Sequence, residues 1–322
     1  GILNDLPSVL DLSDNEIEEK VFNAAADLAI TGQCNKAIPK LEDYLMKYVP
    51  GRFATAANYY LGNCYFENNQ TSKALNAYNY VVSQPLSDYT EESLVAAATI
   101  NYNNKNYSQA LNHYIELENV AILKNNELEA QIGQMRCHYL LGEMGYAEEY
   151  ADKVIMNPST PDGIKNTAFL WRGRIRMQNA QWDEAYYDFV EVEKKGGEKG
   201  AESKYNMALI AFKKQAYKPA ESEIFKLIEK YSAFNEWKYK GFLLLADVYL
   251  GLEDYFQARA TLNTIKENVS EPWVIDECQK KLKELDLIEN PPTPSNRSSE
   301  IEINLGNNPD TPNSPLNEDD NE

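Results

Sequence analysis

His113 and His138 are the two histidines of this 322-residue chain, and Cys34, Cys64, Cys137 and Cys278 are its four cysteines. Metal or nucleophilic chemistry needs such side chains at set spacings: a CxxC pair, a close His pair or a GxSxG elbow. None of these spacings occurs. The cysteines are expected to behave as small buried apolar residues, with neither a zinc site nor a disulfide framework. His113, beside Tyr114, reads as a structural residue rather than a catalytic base. The glycine-rich "KKGGEKG" lacks the GxxxxGK[ST] spacing of a phosphate cradle and reads as a loop. Adjacent carboxylates such as Glu148 and Glu149 read as solvated faces. No enzymatic activity, cofactor or metal is expected.

One cluster remains. Arg172, Arg174 and Arg176 stand two apart in a chain with 31 Lys+Arg against 50 Asp+Glu, a formal charge of −19. Such a surface repels polyanions, which excludes nucleic acid as an expected partner. What the arginines do depends on the element that carries them. At 43% hydrophobic residues the chain can bury a substantial core, but its length points to several packed units or one elongated array. No stretch approaches the roughly 20 apolar residues that span a bilayer.

The element is a repeat. In "NYYLGNCYFENNQTSKALNAY", Asn58, Leu61, Gly62 and Tyr65 are followed by Ala74, Tyr78 and then Pro85. The frame recurs as Phe169, Arg172, Gly173, Arg176, Ala185, Phe189, and as Phe242, Leu245, Ala246, Tyr249, Ala258, Leu262. Repeat alanines fall at Ala37, Ala74, Ala110, Ala147, Ala185, Ala220 and Ala258, spaced 35 to 38 residues apart. Small residues at Ala25, Gly62, Ala98, Gly173, Ala208 and Ala246 let a second helix approach the first, and a large side chain there would wedge the pair open. Tyr107, Met144, Trp182, Tyr217 and Tyr255, three before their alanines, are expected to plug the turns. The fourth unit departs, with Gly133 two residues early and Met135 in the small position.

This pattern resembles the tetratricopeptide repeat, W-x2-L-G-x2-Y, then A-x3-F, then P. The resemblance implies an all-α fold: a right-handed α-solenoid of seven helical hairpins over 18–268, after a lead-in at 1–17. Residues 270–288, "SEPWVIDECQKKLKELDLI", read as a capping helix, with Ser270 as cap, Pro272 in the first turn and Val274, Cys278, Leu282 and Leu285 as its apolar stripe. From 289 to 322 the composition turns to Pro, Asn, Ser and acids, the mark of a disordered tail. The stretch from Gly200 to Ile265 looks like the closing repeats of large bacterial cell-envelope proteins of this family. That implies a periplasmic or outer-membrane-associated scaffold with an export signal upstream, the alternative being cytoplasmic. The first 20 residues have neither a basic n-region nor an apolar h-region, so they do not read as that signal.

In such repeats the first helices line a groove. Counting the repeat alanine as position twenty, positions five, nine and twelve face it. The expected peptide- or partner-binding residues are Tyr59, Asn63, Phe66, Tyr102, Arg136, Tyr139, Arg174, Tyr205 and Phe212. Aromatic side chains offer flat apolar area, and arginine grips a carboxylate with two parallel hydrogen bonds. Residues two apart on a helix point to nearly opposite sides, so Arg174 takes the groove while Arg172 and Arg176 face the partner helix, with Asp188 or Glu191 as their acids. Chaperone-tail clamps of the family need a Lys where Tyr59 stands, and Glu67 replaces a further cation, so that sub-type is not expected. The expected function is a non-enzymatic protein-interaction scaffold; the alternative is a glycan-binding envelope component, although the tryptophans are scattered and the loops short.

Overall fold

The computed structural model describes residues 13–290. Fourteen of its helices alternate as seven hairpins: α1 (Asp14–Ile30) with α2 (Cys34–Lys47), α3 (Ala54–Glu67) with α4 (Thr71–Val82), α5 (Thr90–Asn103) with α6 (Tyr107–Val120), α7 (Lys124–Leu140) with α8 (Met144–Met156), α9 (Asp162–Gln178) with α10 (Trp182–Glu193), α11 (Gly197–Lys213) with α12 (Tyr217–Lys230), and α13 (Asn235–Gly251) with α14 (Tyr255–Asn268). A fifteenth, α15 (Pro272–Glu289), closes the series. No strand occurs among the described residues. The all-α class and the seven hairpins are those the repeat predicts. Two compact units divide the chain, residues 1–153 and 154–322, with the break inside α8.

Each hairpin turns in the same way. The second residue after the first helix has positive φ: Gly32, Asn69, Lys105, Gly142, Ala180, Gln215 and Glu253. The N–H of the next residue then reaches back to a carbonyl five residues earlier, as in Gln33 to Leu28 at 2.7 Å and Gln181 to Arg176 at 2.8 Å. This Schellman closure satisfies carbonyls that a helix end leaves orphaned. The residue expected to plug the turn is in each case the first of its second helix.

All seven repeat alanines are fully buried or nearly so. Opposite them the small first-helix positions receive a large side chain four residues past the alanine. A Cβ on Gly62 would lie 2.7 Å from the Tyr78 ring, and one on Gly173 would lie 3.0 Å from Phe189. The fourth hairpin reverses the sizes. Its plus-four residue is Ala151, while Met135 fills the usual small position, and both are fully buried. Exchanging large for small in this way conserves volume. The displaced glycine has its own reason, since Gly133 lies against the Tyr114 ring of the preceding hairpin.

Three expectations need correction. First, Cys34 and Cys64 form a disulfide, with Cα atoms 5.0 Å apart, whereas only Cys137 and Cys278 are buried free thiols. Cys34 opens α2 and Cys64 lies on α3, so stacking of successive hairpins brings them together across 30 residues. Second, α1 starts at Asp14 rather than 18, because Ser13 and Glu16 form a reciprocal capping box. Third, Glu271 rather than Ser270 occupies the N-cap position of α15, and no side chain caps that helix. Val274, Cys278 and Leu285 of that helix are buried, with Leu282 half-buried beside them, and the first two pack on Leu243, Ala246, Leu262 and Ile265. The tail from 291 lies outside the described residues.

Candidate partner-binding face

In the first unit, α1 lies against α3 and α5 against α7, so first helices neighbour one another. Positions five, nine and twelve of one helix share a face because they are spaced by four and three. Tyr59 and Asn63 belong to one connected group on this face. The Tyr59 hydroxyl donates to Glu92 at the start of α5, and its ring packs 4.8 Å from Tyr89 and 5.3 Å from Tyr60. Burial, with Glu92 next, pushes the Tyr59 phenol up to about 12. Asn63 accepts a 2.7 Å hydrogen bond from Tyr78. One turn further, Phe66 is 46% exposed, a large aromatic open to solvent. Tyr102, half-buried, stands 5.5 Å from the turn residue Tyr107.

The last two first-unit candidates differ from each other. Tyr139 is only 7% exposed and belongs to the buried set. Arg136 is half-buried and makes no ion pair among the described residues.

In the second unit the arginine triplet divides by face. Arg172 places Nε 3.0 Å from Asp188 Oδ2, its Nη2 meets Oδ1, and Arg176 Nη1 lies 3.0 Å from the same Oδ2. Asp188 is fully buried, so the two guanidinium groups supply the partners that a buried carboxylate requires. Arg174 points elsewhere, yet its fork closes on Glu202 of α11 at 2.6 and 2.7 Å. Sequence reading anticipates the first pairing and misses the second. Tyr205 and Phe212 are half-buried, Tyr205 5.8 Å from Trp237 and Phe212 5.9 Å from Tyr217.

The structure adds Tyr60, Tyr89 and Glu92 to the first-unit face, none of them found from the sequence. Position two of the following repeat, Glu92 or Glu202, was the available signal, because it meets positions five or nine of the repeat before. The histidines have structural surroundings: His138 is buried between Tyr146 and Tyr150, with Nδ1 2.6 Å from Glu143. Burial lowers the pKa of His113. Among the described residues no cluster of three or more His, Cys, Asp or Glu is placed to hold a metal, and no helix is long and apolar enough to cross a membrane.

Residues 56–87 match the profile of the tetratricopeptide repeat. That segment is α3 with α4, the hairpin in which Gly62 receives Tyr78 and the face carries Tyr59, Asn63 and Phe66. Solved structures extend the likeness of fold. The C-terminal part of a TPR repeat-containing protein from Cytophaga hutchinsonii is 18% identical, with a TM-score of 0.55, over 80% of this chain and 98% of that one. A structure of Naa15/Naa10 bound to HypK-THB gives 14% identity and a TM-score of 0.52, over 84% of this chain and 42% of that one. A signal-transduction ATPase with a tetratricopeptide repeat sensor, from Pyrococcus horikoshii, gives 12% and 0.50, over 85% and 45%. Comparison with curated protein sequences gives no match.

Proposed function

We propose that the chain is a non-enzymatic scaffold that holds an extended peptide or partner protein on the face of its first helices. The observation that carries this reading is the row of Tyr59 and Phe66, two turns apart on α3, and Tyr102 one repeat further on α5, open or half-open in a chain with more carboxylates than cations. Rigid aromatic anchors bind with little entropy loss. Arg136 is the cation placed to orient a partner carboxylate. Arg174 holds the same repeat position, and engaging a ligand there means displacing or sharing Glu202. Tyr139, Tyr205 and Phe212 would support the face from beneath more than anchor a ligand. Among structures of this fold, that of Naa15/Naa10 is bound to HypK-THB. The Cys34–Cys64 disulfide supports an oxidising compartment such as the periplasm, since cytosolic thiols are kept reduced.

Selection from a displayed peptide library, followed by fluorescence anisotropy on the selected peptides, tests the reading. Phe66→Ala combined with Arg136→Glu should weaken binding about tenfold or more, the scale of a truncated interface anchor. Peptides that bind the double variant as well as the parent would count against this face.

A further inference from the structure

The second unit contains a depression of about 420 Å³ that belongs to no first-helix groove position already assigned, lined by Asn235, Glu236, Tyr239, Lys240, Glu271 and Trp273. It forms where α13 and α15 begin side by side. Trp273, the second residue of α15, is 43% exposed, and its indole has no ring or cation partner among the described residues. Neighbouring rings are already used by the protein's own lysines: Lys240 Nζ sits 4.3 Å from the Trp237 centroid and Lys238 Nζ 5.1 Å from that of Tyr239. Lys240 also neutralises Glu236 at 2.7 Å. Glu271 has no such cation. Its carboxylate accepts a hydrogen bond from the Ser270 N–H at 3.2 Å, a neutral donor, and, after burial, its charge helps raise the pKa of the nearby Tyr239 phenol.

We infer that this depression recognises a basic side chain of a polypeptide partner, with an arginine guanidinium stacking on Trp273 and pairing with Glu271. An indole face attracts cations through its quadrupole, and guanidinium adds planar stacking and a fork that fits a carboxylate. One carboxylate without a cation beside one indole without a partner is the complement of that group. The net charge of −19 draws cations toward the chain. The inference rests on the reading of the chain as a polypeptide binder but uses none of the residues of the first-unit face.

The probe is Ac-Gly-Arg-Gly-NH2, with its neutral citrulline isostere as control, followed by the Trp273 indole N–H resonance assigned through Trp273→Phe. The arginine peptide should move that resonance saturably with affinity on the order of millimolar, and citrulline should not. Glu271→Gln, nearly isosteric at the surface, should weaken the response about tenfold. Equal shifts with arginine and citrulline, no shift with either, or a saturable shift with neutral oligosaccharides alone would overturn the proposal. Because the tripeptide reports on the depression alone, its failure leaves the Phe66 and Arg136 test standing, and the converse also holds.

Discussion

Arg172 and Arg174 show how two positions on one helix turn the same side chain to different uses. Arg172 neutralises a carboxylate that sees no water, so Arg172→Ala strands the Asp188 charge in the core even though Arg176 remains. The expected cost is about 3–5 kcal/mol, read as a lowered urea midpoint. Arg174, 22% exposed in its side chain, pairs with Glu202, which is buried but keeps 10% of its side chain exposed where Asp188 has none. Arg174→Ala should therefore cost less, about 1–2 kcal/mol. Equal losses in the two variants would mean that Asp188 is already satisfied without Arg172. Phe66→Ala belongs to a different class: its ring is open to solvent, so stability should change by about 0.5 kcal/mol or less while peptide binding falls.

The hairpin is the unit in which most of the sequence signal lies. Repeat alanines, small approach positions and turn residues are separated by fixed short intervals within one hairpin, so the sequence narrows the acid for Arg172 to Asp188 or Glu191, and the structure selects Asp188. Contacts between hairpins are harder to see. Tyr59 to Glu92, Arg174 to Glu202 and Cys34 to Cys64 span 33, 28 and 30 residues, and depend on how one hairpin lies on the next. The left-handed turn residue is also obscure, because five of the seven positions are not glycine and Lys105 or Ala180 carries no local mark of that conformation. That gives a prediction. Ala180 has φ 56°, where a Cβ is strained, so Ala180→Gly should raise stability by about 0.5–1 kcal/mol. Gly62→Ala should do the reverse by about 1–3 kcal/mol, because the new methyl meets the Tyr78 ring at 2.7 Å. Denaturant midpoints that move in the opposite directions would refute the packing scheme.

Stability of the whole chain should respond to acid and to reductant. Burial tends to raise the pKa of Glu118, but hydrogen bonds from Gln134 and Tyr150, the charge of Lys153 and a bond from Gln131 outweigh it and hold the carboxyl below its ordinary value. Glu91 is likewise lowered, burial being overcome by Asn126 and the N–H groups of Ile122 and Leu123. A carboxylate with a depressed folded pKa contributes stability that is complete above the unfolded value, about 4.3, and disappears as pH falls through the folded one. The urea midpoint should thus drop between about pH 5 and pH 3, and Glu118→Gln should flatten that fall. Opening the Cys34–Cys64 bridge, which closes 30 residues, should cost about 3.6 kcal/mol on a chain-entropy estimate, measurable with Cys34→Ser/Cys64→Ser.

The central claim is that partners dock on the first helices rather than the second. A photo-crosslinking amino acid placed at Phe66 on α3, and separately at Tyr80 on α4, tests it in the producing cell, since both side chains are exposed, 46% and 39%. The account predicts discrete protein adducts from position 66 and none from 80. Adducts from 80 with none from 66 would contradict it.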